Sequence, residues 1–181
     1  MYMVNKKNYG ALIVPLFFLF SLGASLTTIG QKIEKHYVSS NQSNGIIYFI
    51  KPQEGFNSPK NGDLVYDISY LNSSDSCSFL FSYFDKAERT LDSIGFSIQG
   101  QYKMLPVSKI FIETTKNVWH YRYRTSLPLD DISAFFAQTD SPPLLLASKQ
   151  GQVNLSMKKK RWKKLSSINN RILLVIKHNR S

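Results

Sequence analysis

Apolar and polar residues alternate along much of this chain, the pattern expected of β-strands that bury one face. The stretch 64–85 alternates on both sides of the turn-forming sequence NSSDS, so it predicts a β-hairpin. Two shorter runs, 45–52 and 94–98, predict further strands, the first of them ending at its proline, Pro52. Residues 144–158 predict another hairpin, because their leucine, valine and methionine side chains fall on one face.

The segment 109–125 predicts a hairpin with a defined register if Lys116-Asn117 forms its two-residue loop. One face then pairs Thr114 with Trp119, Ile112 with Tyr121, and Ile110 with Tyr123. The other face pairs Glu113 with His120 and Phe111 with Arg122, with Arg124 beyond them. Because the apolar residues match each other in this register, we expect it to form.

Two segments have the features of helices. Residues 128–138 begin with a proline and two acidic residues, which suit a helix N-terminus, and predict a short helix. In the C-terminal segment apolar residues recur every three or four positions, which predicts an amphipathic helix over about 160–178. These residues are Trp162, Leu165, Ile168, Ile172 and either Val175 or Ile176. The alternative for the second half of this segment is a buried strand at 171–177.

Together these elements predict an α+β fold. We expect a mainly antiparallel β-sheet of about seven strands, packed by a short helix and a C-terminal amphipathic helix.

Residues 1–30 have the three parts of a secretory signal peptide. Lys6 and Lys7 form a positive region, residues 11–22 form an apolar region, and small and polar residues follow, so we expect cleavage before Gln31. The alternative is an uncleaved membrane anchor formed by residues 11–29. In both cases residues 31–181 are expected to form a single exported domain, which after cleavage is periplasmic or secreted.

The net charge of the chain, +11, is concentrated at its C-terminal end. Residues 148–181 contain ten Lys and Arg and no Asp or Glu, whereas residues 31–147 contain eleven basic and twelve acidic residues. The predicted exported domain is thus a nearly neutral body with a basic end. Cys77 is the only cysteine, so no disulfide can form within the chain, and its alternation with Phe79 and Phe81 predicts that it is buried.

Signals of enzymatic chemistry are few. The sequence contains no GxSxG, HxH, HExxH or CxxC pattern, and we expect neither a metal site nor a cofactor. Glu113 and His120 would be neighbours in the predicted hairpin and could act as an acid–base pair. An ordinary ion pair on a solvated face explains the same two residues, so we expect a protein that is not an enzyme.

Two groups of residues are candidates for binding, and the first lies on the strand after the Lys-Asn loop. His120, Arg122 and Arg124 would form a cationic row, in which arginine could hold a carboxylate or a phosphate with two hydrogen bonds. The simpler interpretation is an outer sheet face whose charges block pairing with another chain.

The second group is a basic cluster at the start of the predicted C-terminal helix. Its members are Lys158, Lys159, Lys160, Arg161, Lys163 and Lys164. Around Trp162 they suit an anionic lipid surface or an anionic glycan. Nucleic acid is not an expected partner, because the export signal removes the usual target and no nucleic-acid-binding fold is recognisable.

The remaining interpretation of the basic cluster is that its side chains are solvated around a helix whose apolar stripe covers the sheet. Positive charges near a helix N-terminus are unfavourable. We therefore expect either that the helix starts after Lys160 or that acidic residues compensate, and Asp130 and Asp131 are candidates for this role.

These observations lead to one expected function and two alternatives. We expect a small exported, non-enzymatic binding or structural module of the cell envelope, with an unidentified envelope or protein partner. The first alternative is a protein that binds a polyanion or a membrane surface through its basic C-terminal helix. The second is a hydrolase-like enzyme that uses Glu113 and His120.

Overall fold

The computed structural model describes residues 33–58 and 62–180, so the predicted signal peptide or anchor lies outside the described residues. The elements in chain order are a 3-10 helix Glu34–His36, β1 Tyr37–Gln42, β2 Gly45–Ser58, β3 Gly62–Leu71, β4 Ser76–Asp85, β5 Leu91–Ile98, β6 Gln101–Pro106, β7 Ser108–Thr115, β8 Val118–Pro128, α1 Leu129–Phe136, β9 Leu144–Ser148, β10 Gly151–Leu155 and α2 Lys159–His178. The strands and both α-helices belong to one compact unit, His36–Ser181.

The strands form two antiparallel sheets. The larger sheet has the order β1-β2-β3-β4-β8-β7, and the smaller has the order β10-β9-β5-β6. The predicted α+β class is confirmed, and the described residues form ten strands where the sequence predicted about seven. The alternation did not reveal β1 and β6, because both are edge strands whose side chains are mostly exposed and form no apolar face.

The prediction that the strand beginning at Gly45 ends at Pro52 is wrong, because β2 continues to Ser58. Its pairing with β3 shifts register between Ile50 and Gln53 and again between Glu54 and Phe56. Such bulges let a strand pass a proline, which has no N–H to donate to the ladder.

The predicted hairpin at 64–85 is confirmed as β3 and β4, and the one at 144–158 as β9 and β10. The hairpin of β7 and β8 also forms, with Lys116 and Asn117 at its turn. Both turn residues have positive φ angles, 52° and 63°, as a type I′ turn requires.

The register of the β7–β8 hairpin agrees with the prediction up to Arg122. Glu113 lies opposite His120, and Ile112 lies opposite Tyr121. The predicted pairing of Ile110 with Tyr123 is wrong, because a register shift beside Ile110 places Lys109 opposite Tyr123. Ile110 is consequently 44% exposed.

Aromatic side chains connect both sheets with both α-helices. Tyr66 stacks on Phe79 with ring centroids 4.9 Å apart, and Phe79 meets Phe96 of the smaller sheet edge-on at 5.0 Å. Phe96 contacts Phe135 of α1 at 5.3 Å, and Phe135 contacts Trp162 of α2 at 5.5 Å. All five side chains are at most 1% exposed, so they form one continuous aromatic core.

The C-terminal segment is helical over its predicted length, and the alternative strand at 171–177 is wrong. The predicted apolar residues that are buried are Trp162, Leu165, Ile172 and Ile176. Ile168 is only half-buried, and the neighbouring Asn169 is fully buried instead. The helix prevails over the strand because its 3.6-residue period gathers these side chains on the face that packs against the body.

Cys77 is buried, as predicted. Its thiol donates a 3.2 Å hydrogen bond to the carbonyl oxygen of Leu127, and burial raises the pKa of the thiol to about 12.

No helix among residues 33–58 and 62–180 has both the length and the apolar character needed to cross a membrane.

Candidate functional site

The predicted contact between His120 and Glu113 is present at the β7–β8 hairpin. Nδ1 of His120 lies 2.8 Å from Oε1 of Glu113. The imidazole stacks on Phe84 with ring centroids 4.4 Å apart and meets Phe111 edge-on at 5.0 Å. Its Nε2 atom is buried, and no hydrogen-bond partner for it is found among the described residues. The imidazole is therefore held by a carboxylate and two aromatic rings.

Arg122, the next member of the predicted cationic row, is engaged within the sheet. Its guanidinium forms an ion pair with Asp67 of β3 and donates a 3.2 Å hydrogen bond to Oγ of Ser82. Asp67 is only 3% exposed, and a buried carboxylate needs such a partner. Arg124 is the exposed member of the row. Carboxylates thus already contact His120 and Arg122, which leaves Arg124 as the member most accessible to an outside anion.

None of the described cavities is lined by Glu113 or His120, but one is lined by their chain neighbours Thr114 and Trp119. One lies at the β7–β8 turn, and two lie beside α2. Within the described part of the chain, no group of three or more His, Cys, Asp or Glu side chains is placed to hold a metal ion.

Two members of the basic cluster form ion pairs with acidic residues of the body. Lys159 lies 3.0 Å from Asp140, and Arg161 lies 3.4 Å from Glu54. Arg161 also covers Gly55 so closely that a Cβ atom added there would lie 2.6 Å from its Nε atom. These contacts direct two of the six basic side chains toward the body.

Of the two alternatives for the charged end of the helix, a start after Lys160 is wrong, because α2 begins at Lys159. Asp130 and Asp131, the candidates for compensating the charge at this end, pair elsewhere. Asp130 accepts a 2.8 Å hydrogen bond from Lys177 at the other end of α2, which lowers the pKa of its carboxyl, and Asp131 pairs with Lys103. Compensation near the helix N-terminus comes from the acidic partners of Lys159 and Arg161 instead.

The other four members of the basic cluster are exposed. They are Lys158, Lys160, Lys163 and Lys164, and the structure describes no ion pair for any of them. Their backbone is anchored, because Trp162 between them is fully buried and donates a 2.9 Å hydrogen bond from Nε1 to the carbonyl oxygen of Gln138. Four positive charges are therefore held at one end of a fixed helix.

A groove, which we call the helix groove, runs along α2. Its other wall is formed by the C-terminal end of α1 and by residues 137–139, which follow α1. Its larger part is a cleft of about 500 Å³, whose basic lining residues are Lys159, Lys163 and Arg171, with no Asp or Glu in the lining. A second hollow of about 220 Å³ shares Ala137, Asn170 and Leu174 with this cleft, so the two are continuous.

Asp67 and Arg171 were not among the binding residues predicted from the sequence. Asp67 is 55 residues from Arg122 along the chain, and nothing local indicates that the two side chains meet. Arg171 could have been found, because it follows Lys163 by eight residues and therefore lies on the same face of a helix.

Comparison of the chain with models of protein families, with curated protein sequences and with solved structures finds no match.

Proposed function

We propose that this protein is an exported, non-enzymatic binding module of the cell envelope that contacts negatively charged surfaces through the start of α2. The observation that carries the proposal is the set of four exposed lysines, Lys158, Lys160, Lys163 and Lys164, for which the structure describes no ion pair. The signal-like residues 1–30 of the sequence support export.

The position of these lysines supports attraction of an anion rather than pairing within the protein. They lie at the N-terminal end of a 20-residue helix, where the helix dipole adds further positive charge. Such a cluster is unfavourable for the isolated helix and becomes favourable when a polyanion is bound.

The burial of Trp162 restricts how a lipid surface could be bound. A side chain that is 0% exposed and packed against Phe135 cannot enter a lipid layer while α2 keeps its place. We therefore propose a contact made by charge alone, which salt should weaken strongly, because the screening length falls from about 10 Å at 0.1 M to about 3 Å at 1 M salt.

The non-enzymatic part of the proposal is supported by the surroundings of Glu113 and His120. The imidazole packs against Phe84 and Phe111, and neither Glu113 nor His120 lines a described cavity. A hydrolase would instead need room for a substrate beside its general base.

Sedimentation with vesicles tests the proposal. The protein is expected to bind vesicles of phosphatidylglycerol and phosphatidylcholine, but not vesicles of phosphatidylcholine alone. Replacing Lys158, Lys160 and Lys164 by Gln should weaken binding by on the order of a hundredfold, at about 1 kcal/mol for each lysine near an anionic surface.

The matched control replaces Lys86, Lys109 and Lys116, three exposed lysines of the body, by Gln. Both triple variants lose the same net charge, so a difference between them reports the position of the lysines and not the total charge. The control variant should bind nearly as well as the unchanged protein. An equal loss in both variants, or no binding to anionic vesicles at all, would contradict the proposal.

A further inference from the structure

The helix groove combines a cationic end with an apolar end. At the cationic end, Lys163, Ser167 and Arg171 follow one another at intervals of four residues and so line one side of α2. At the other end the lining is mainly apolar and includes Leu173 and Leu174. The cleft at the cationic end, about 500 Å³, is within the range of small-ligand sites.

The cationic end has charge available for a ligand. The structure describes no ion pair for Lys163 or Arg171, whereas Lys159 faces Asp140 at 3.0 Å. A guanidinium can donate two parallel hydrogen bonds to a phosphate or a carboxylate, and a lysine nearby adds a point charge. Since both side chains line the same cleft, this end is suited to an anionic group.

The apolar end would be of no use to a simple anion or a polyanion. Leu174 is 66% exposed, the highest value among the exposed large hydrophobic residues described, and it lies where the two hollows join. Lys177 at this end is already paired with Asp130 at 2.8 Å. Covering Leu174 would require a ligand with a hydrocarbon part.

Hydrogen bonds between distant parts of the chain hold the walls of the groove in place. Asn170 donates from Nδ2 to the carbonyl oxygen of Phe136 at 2.9 Å, and Trp162 donates to that of Gln138 at the same distance. Gln138 in turn donates from Nε2 to the carbonyl oxygen of Ser97 at 2.8 Å. The groove is thus formed before any ligand arrives, which lowers the entropic cost of binding.

We propose that the helix groove binds a single-chain anionic amphiphile. Its phosphate or carboxylate head group lies between Lys163 and Arg171, and its alkyl chain runs over Ala137 and Leu174. This proposal rests on the proposed function only for the location of the protein, since single-chain anionic amphiphiles occur in the cell envelope.

Titration calorimetry with dodecyl phosphate below its micelle concentration tests the proposal. We expect saturable binding at one site. Inorganic phosphate, which lacks the chain, and dodecyl maltoside, which lacks the charge, should each bind at least about tenfold more weakly. Equal affinity for dodecyl maltoside would overturn the cationic site, and equal affinity for inorganic phosphate would overturn the apolar one.

Paired variants separate the groove from general electrostatic attraction. Replacing Lys163 and Arg171 by Gln should weaken dodecyl phosphate binding by at least about tenfold. Replacing Lys109 and Lys116, two exposed lysines of the body that lie outside the groove, should change it less than about threefold. The two variants lose the same charge, so an equal loss would overturn the proposal.

A second pair of variants tests the apolar end. Leu174→Asn should weaken binding of dodecyl phosphate, while Ile110→Asn, at an exposed residue of β7, should leave it unchanged. The proposed function is tested by a different experiment, the binding of vesicles to variants of Lys158, Lys160 and Lys164. The two proposals can therefore fail independently of each other.

Discussion

Replacing Trp162 by alanine should cost this protein a large part of its stability. The indole is 0% exposed and contacts three phenylalanine rings, Phe56 at 6.2 Å, Phe135 at 5.5 Å and Phe136 at 5.7 Å between centroids. Truncating such a side chain to alanine typically costs about 3–5 kcal/mol. The carbonyl oxygen of Gln138 also loses its indole donor, which adds about 1 kcal/mol.

The expected loss, about 4–6 kcal/mol, compares with a total stability of about 5–15 kcal/mol for a typical domain. Urea unfolding followed by far-ultraviolet circular dichroism measures it, because the substitution removes one of the two tryptophans on which fluorescence would depend. Trp162→Phe keeps most of the packing and loses the hydrogen bond, so it should cost less than half as much.

Leu174→Ala is the matched control, because Leu174 lies on the same helix and is 66% exposed. It should change the free energy of unfolding by less than about 0.5 kcal/mol. If Trp162→Ala costs less than about 1 kcal/mol, the indole is not part of the core and is free to enter a lipid layer.

Two further predictions concern titrating groups. Because burial raises the pKa of the Cys77 thiol to about 12, the thiol should react with Ellman's reagent at pH 8 only after the protein is unfolded in urea, and rapid reaction of the folded protein would contradict its burial. The hydrogen bond from Lys177 lowers the pKa of Asp130 in the folded state. This ion pair should therefore stabilise the protein fully above the ordinary aspartate pKa of about 3.9, and the stabilisation should be lost as the pH falls through the lowered pKa of Asp130 in the folded protein. Asp130→Asn should therefore lower the urea midpoint at neutral pH and have no effect in strong acid, and a difference that persists in acid would refute this assignment.

The β7–β8 hairpin shows how far local pattern carries a prediction. Alternation and a two-residue turn were enough to place Glu113 opposite His120, because both act between residues close in sequence. The register shift beside Ile110 could not be anticipated, since a bulge adds a residue without changing the composition of the strand.

The sequence was enough to predict which candidate binding residues carry a charge, but not how their side chains are arranged in the folded protein. The sequence shows the basic cluster and its helical period, and both are confirmed in α2. It does not show that Arg161 turns toward Glu54, 107 residues away, or that Arg122 is held by Asp67. Such pairings depend on which strands become neighbours.

The α+β class, the positions of most strands, the C-terminal helix and the location of its charge could be predicted from the sequence, because each of these depends on periodicity or composition within a short stretch. The burial of Trp162, and the lack of a described ion pair for Lys158, Lys160, Lys163 and Lys164, became known only from the folded structure. The helix groove is likewise a product of packing, since its walls come from α1 and α2, which two strands separate along the chain. Contacts between such distant segments form only when the chain folds as a whole, and no local pattern encodes them.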